Sequence, residues 1–170
     1  MKREVRLALT GFMGVGKSSV ARHLEHLTGC RRIDLDSVIE DISGKRVADI
    51  IDGGGIEAFR EVETAALMKV LDSGRGCILS LGGGTWTVPS NRELIGKKGF
   101  TSIWLESTFE HCWLNIKFSR KERPLARDKE RARLLFEERQ LAYCLADWHF
   151  LVRPGHTSFE VARQIADQLF

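Results

Sequence analysis

A chain of 170 residues with 43% hydrophobic and 29% charged residues can bury one full core and is too short for two comfortable ones. No apolar run approaches the roughly 18 residues of a membrane span, and no secretory leader opens the chain, so it reads as a cytoplasmic protein that works away from membranes. The net charge of +3 is mild and local: residues 119–133 hold seven cations against three carboxylates, which excludes a diffuse nucleic-acid surface. Cys30, Cys77, Cys112 and Cys144 are far apart and show no zinc-type spacing, so reduced thiols are expected.

Residues 5–10, rich in Val and Leu, predict a buried parallel strand. Gly11, Gly16, Lys17 and Ser18 then fill every fixed place of G-x-x-x-x-G-K-[ST], and Val20, Leu24 and Leu27 recur at helical spacing up to Gly29. Strand, glycine loop and helix together form a polyphosphate cradle. Backbone N–H groups converge at a helix N-terminus, glycines let the backbone come close, Lys17 places a point charge on the β and γ phosphates, and Ser18 offers a hydroxyl to magnesium. The expected ATP-binding residues are Gly14, Val15, Gly16, Lys17, Ser18 and Ser19.

Residues 31–36 read as a short strand whose end carries Asp34 and Asp36 at alternate positions, on one face. Short helices are expected over 37–42 and 47–51, broken at Gly44 and at Gly53, Gly54 and Gly55, and a longer one over 56–71. Residues 77–81 predict another buried strand, stopped by Gly82, Gly83 and Gly84. Pro89 and a capping box from Ser90 to Glu93 announce a short helix. A strand over 100–105, a helix to about 118, the basic segment, a helix over 130–145, a strand over 148–152 and a helix over 158–169 complete the chain. Strands alternating with helices imply a parallel sheet covered on both faces, with ligands beyond the C-terminal ends of its strands. The phosphate loop, the two aspartates and the glycine triplet all fall at such ends.

These pieces resemble the shikimate kinase family of P-loop enzymes. The resemblance rests on residues 11–18, on Ile33-Asp34-Leu35-Asp36 with Ile39-Glu40, on Phe59-Arg60 with Glu61 and Glu63, on Leu81 with the glycine triplet, on Arg123-Pro124-Leu125 and on Arg139. It implies one three-layer α/β/α domain over 1–170 with a five-stranded parallel sheet in the order 2-3-1-4-5. It also implies a substrate-binding helical region at about 35–60 and a mobile lid at about 119–128. The implied reaction is transfer of a phosphoryl group from ATP, with Mg2+, to the 3-hydroxyl of shikimate by a monomer. By resemblance, Asp36, Arg60, Gly82, Gly83, Gly84 and Arg139 contact shikimate, Asp34 and Ser18 hold the metal, Lys17, Asp34, Asp36 and Arg123 carry catalysis, and Arg123 also joins the ATP-binding residues.

The chemistry of these side chains agrees with such roles, and each also has a plainer one. An anionic acceptor calls for guanidinium groups, and its vicinal hydroxyls call for a carboxylate. Asp36 could instead cap a helix and Asp34 end a strand, while Arg60 has Glu57 and Glu63 within ion-pairing distance along a helix. Arg139 has Leu135, Phe136, Ala142 and Tyr143 as helical neighbours, none acidic, so its partner must lie elsewhere. Like charges in the lid predict that it is disordered or open until a phosphate arrives. The chain departs from the family pattern at Ile56, at Ile116 where an adenine-side Arg is usual, after Arg139 where a Pro is absent, and around Gly155 and His156. A kinase with gluconate or a nucleoside monophosphate as acceptor, and a nucleotide-binding regulator without turnover, are the alternatives left open.

Overall fold

A computed structural model describes residues 5–170; residues 1–4, the start of the expected domain, lie outside the described residues. The five strands are β1 (Leu7–Thr10), β2 (Arg32–Asp34), β3 (Ile78–Ser80), β4 (Thr101–Glu106) and β5 (Trp148–Leu151). The seven helices are α1 (Lys17–Thr28), α2 (Leu35–Ser43), α3 (Val47–Asp72), α4 (Pro89–Lys97), α5 (Phe109–Phe118), α6 (Lys129–Tyr143) and α7 (Ser158–Leu169). All strand pairs are parallel and the order is β2-β3-β1-β4-β5, as the resemblance implied.

β1 lies at the centre because every residue in it can be buried. Leu7, Ala8, Leu9 and Thr10 are all fully shielded, and each Leu side chain contributes about 1.5–3 kcal/mol on burial. From β1 the chain crosses through α1 to one side of the sheet, and from β3 it crosses through α4 to the other. Right-handed crossovers running in opposite directions put their helices on opposite faces, and α7 packs beside α1. The adjacent ends of β1 and β3 are therefore the switch point, where a crevice opens. The phosphate loop follows β1 there, and the glycine triplet follows β3.

Two local expectations are corrected. β2 stops at Asp34, not at 36, because the Asp34 carboxylate accepts the Asp36 and Ser37 amides (3.1 and 3.3 Å) and so caps α2. Asp36 is thus a first-turn helical residue, and the two carboxylates do not share a strand face. The capping box at Ser90 does not form: Pro89, with its preset φ, takes the first helical position and Val88 stands at the cap. The break expected in the glycine run is present: Gly55 (φ 82°, ψ 174°) interrupts α3, and the first piece runs past 51 to meet it. α7 keeps its expected bounds, fixed by a capping box between Thr157 and Glu160.

Candidate active site

The phosphate loop lines a cavity of about 540 Å³, large enough for a nucleotide. Its shape comes from backbone. Gly16 caps α1 at φ 103°, and Gly14, at φ 83°, lies so close to α5 that a Cβ there would sit 2.4 Å from the Cys112 carbonyl oxygen. Glycine at position 14 is thus demanded by the helix packed behind the loop, before any ligand is considered. Lys17 is buried, and its Nζ donates to the carbonyls of Gly11 (2.6 Å) and Phe12 (3.1 Å). Burial, with the nearby Arg123 charge, pulls its pKa down to about 7. An incoming polyphosphate restores the ammonium form, because opposite charge at close range favours it.

Ser18 Oγ donates to the Asp34 carboxylate at 2.6 Å, beside the same cavity. Among the described residues no cluster of three or more His, Cys, Asp or Glu could hold a metal. A hydroxyl and one carboxylate suit magnesium, which keeps several waters and takes its other ligands from phosphate oxygens. The residues present therefore fit Mg2+.

A second, smaller cavity of about 80 Å³ adjoins the first, lined by Phe59, Arg60, Glu63, Gly82, Gly83, Gly84 and Arg139 among others. Asp36, Lys121 and Arg123 belong to both cavities and stand at their boundary. Arg60 donates to Glu63 at 2.6 Å, and the second Glu63 oxygen accepts from Thr85 Oγ1 at 2.8 Å. Glu63 is fully buried, and desolvation raises its pKa. Arg139 is 6% exposed, has no carboxylate in hydrogen-bonding contact among the described residues, and lies over the Phe12 ring beside Tyr143. Burial lowers its pKa. The Tyr143 hydroxyl, pushed up to about 12 by burial, stays protonated and donates to the Gly83 carbonyl. These guanidinium groups explain the triplet: a Cβ on Gly84 would fall 1.8 Å from an Arg60 nitrogen, and one on Gly83 3.0 Å from Arg139. The glycines make room for side chains as much as for a ligand.

The segment between α5 and α6 closes over the boundary. Arg123 Nε is buried with no hydrogen-bond partner, and burial lowers the guanidinium pKa, so the group is held ready for an anion. In the structure the segment rests on the body. Lys121 pairs with Asp36 (2.8 Å), Arg127 with Asp52 (2.7 Å), and Glu122 with Arg46 (3.5 Å). Carboxylates on α2 and α3 supply the counter-charge that the segment lacks.

The sequence pattern that defines shikimate kinases matches residues 13–170. The chain belongs to the shikimate kinase family. A shikimate kinase of Streptococcus thermophilus is 38% identical over 161 residues, covering 92% of this chain and 96% of that protein. The fold agrees with that of a shikimate kinase from Acinetobacter baumannii solved in complex with shikimate (TM-score 0.87, 28% identity, 96% and 92% of the two chains covered). It also agrees with that of a shikimate kinase from Aquifex aeolicus (TM-score 0.81, 26% identity, 97% and 96% covered).

Within this family frame, the expected residues fall together. Gly14, Val15, Gly16, Lys17, Ser18, Ser19 and Asp34 line the larger cavity, Arg60, Gly84 and Arg139 the smaller, and Asp36, Gly82, Gly83 and Arg123 both. The plainer readings hold in part as well: Asp34 does cap α2, and Arg60 does pair along its helix. Of the aromatic residues nearby, Phe59 lines the smaller cavity, while Trp86 is a core residue bonded to the Ala142 carbonyl. Three groups went unassigned by sequence. Glu63 enters the resemblance beside Arg60 and is otherwise only an ion-pair candidate three residues from it, Lys121 is only one charge in a basic run, and Tyr143 only a non-acidic neighbour of Arg139. At the departures from the family pattern, Ile116 packs beneath the loop, where it would meet a Cβ on Gly14 at 2.9 Å. Asn115 holds the Gly14 carbonyl at 2.8 Å, and His111 and His156 line the nucleotide cavity.

Proposed function

We propose that this chain transfers the γ-phosphoryl group of ATP to the 3-hydroxyl of shikimate, giving shikimate 3-phosphate and ADP, as a cytoplasmic monomer. The observation that carries the reading is Arg139, a buried guanidinium with no hydrogen-bonded carboxylate among the described residues, in a pocket that shares Asp36 with a phosphate loop. An acceptor bearing a carboxylate supplies the missing anion to Arg139 and Arg60. Its hydroxyl then lies against Asp36, facing the γ-phosphorus.

In the reaction the acceptor oxygen forms the new bond to phosphorus, the bond to the β–γ bridging oxygen breaks, and the hydroxyl proton passes to the Asp36 carboxylate. Lys17, Arg123 and the loop amides stabilise the charge on the transferring group. Glu63 fixes Arg60, and Tyr143 supports Arg139. Ser18 and Asp34 would hold Mg2+, which when bound neutralises the β and γ oxygens. The closed segment 119–128 keeps water from competing.

A coupled ADP-release assay across shikimate, gluconate and nucleoside monophosphates tests the proposal. Turnover with shikimate far above the others is expected. Preference for gluconate or a monophosphate would move the acceptor, and no turnover with any would favour a nucleotide-binding regulator.

A further inference from the structure

Lys121 lies outside the set of roles argued so far, and its position is unusual for a lid charge. Its Nζ donates to Asp36 Oδ2 at 2.8 Å, and both residues line the nucleotide cavity and the acceptor cavity together. The pair joins α2 to the lid across 85 positions of sequence. Two other ties, Arg127 to Asp52 and Arg46 to Glu122, hold the lid to α3 and its N-cap. Lys121 therefore points inward, although its side chain remains 47% exposed.

We propose that Lys121 is a positioning residue that occupies Asp36 until the acceptor arrives and then passes to the phosphate side. The inference rests on the reading of Asp36 as the group that receives the acceptor proton. An acceptor hydroxyl must donate to the same carboxylate that Lys121 now holds. A pair this exposed is weak and readily exchanged. Once displaced, the ammonium has the triphosphate as its neighbouring anion, because it already borders that cavity. Acceptor binding thus adds a second lid cation beside Arg123 at the moment of transfer.

The converse is a guard against wasted ATP. With Asp36 free and no acceptor present, a water can donate its proton to that carboxylate. Its oxygen bonds the γ-phosphorus, the bond to the β–γ bridge breaks, and ADP and inorganic phosphate leave. Lys121 on Asp36 withholds the base from that water.

The test compares wild type with Lys121→Met and Lys121→Arg, measuring ATP hydrolysis without acceptor and, separately, kcat and KM for shikimate. In Lys121→Met, acceptor-free hydrolysis should rise about threefold to tenfold relative to acceptor-dependent transfer, a fraction of what a general base contributes. Its acceptor KM should fall, since a competitor for Asp36 is gone, while kcat falls with the lost charge; Lys121→Arg should restore both. An unchanged hydrolysis ratio, or an acceptor KM that rises, would overturn the proposal. A wild type that fails to phosphorylate shikimate would defeat the proposed function, and the acceptor-free arm would still decide the role of Lys121.

Discussion

The two halves of the site are built by opposite means. The phosphate side is nine consecutive residues whose backbone does the binding, with Lys17 anchored to the carbonyls of its own loop. The acceptor side gathers side chains from α2, α3, α6, the lid and the turn after β3, and holds them in partnerships such as Arg60 with Glu63. A backbone site is preorganised by the fold and depends on a few irreplaceable groups. A site of paired side chains can be loosened one partner at a time. Variants on the phosphate side should therefore stop the chemistry, and variants on the acceptor side should tune affinity.

Lys17→Ala should give the largest effect, because it removes charge from a site too dry for water to replace it. A fall of about 10²–10³ in kcat is expected, the range for losing one fixed donor to developing charge. Steady-state kinetics on the folded variant decide it. Turnover near wild type would erase the distinction between the halves.

Arg139→Lys should come next and separate the substrates. The planar fork can meet both oxygens of a carboxylate, and an ammonium cannot. Acceptor binding should weaken by about 1–3 kcal/mol with ATP affinity nearly unchanged. Separate titrations of shikimate and ATP would reassign Arg139 if the loss fell on ATP alone.

These contrasts also explain what could be read from the sequence. The phosphate loop is contiguous, and its spacing alone specifies strand, turn and helix. The sheet order and the acceptor residues came only through resemblance, since no local pattern links Asp36, Arg60, Gly83 and Arg139 across the chain. Asp36 was placed on a strand because alternation and capping compete at that point, and only the coordinates show the Asp34 carboxylate taking the α2 amides. Pro89 outweighed the Ser90 box for a similar reason, its ring favouring a helix that starts two residues earlier. From its own like charges the lid reads as disordered or open. Its partners Asp36, Arg46 and Asp52 lie about 75 to 85 positions away, a separation that charge patterning along one segment does not cover.

Glu63→Gln sharpens the comparison within the acceptor half. Glu63 touches Arg60 and Thr85, and it supports the site by aiming a guanidinium. With a neutral amide there, Arg60, whose side chain is 22% exposed, is freed toward solvent. Acceptor KM should rise about tenfold, near the cost of one charge-assisted hydrogen bond, while the KM for ATP holds. A matching rise in both constants would place Glu63 in general support of the fold.

The smallest effect is expected at the lid's outer tie. Arg127 makes two hydrogen bonds to Asp52 (3.0 and 2.7 Å) and one to Glu122 (2.8 Å), and Glu122 in turn faces Arg46. All of these groups are exposed, so each pair is weak and screened by salt. Asp52→Asn should leave kcat and stability close to wild type and yet speed amide exchange over 119–128 in the ligand-free protein, because opening of that segment no longer breaks the bidentate pair. High salt should bring the wild type toward the variant, since at about 1 M the screening length falls to about 3 Å. Exchange in the phosphate loop should not respond, for its hydrogen bonds run to its own backbone and to Asn115. Equal acceleration in loop and lid would mean that the two halves open as one unit, and the contrast between backbone-built and pair-built regions would fail as an account of how this site moves.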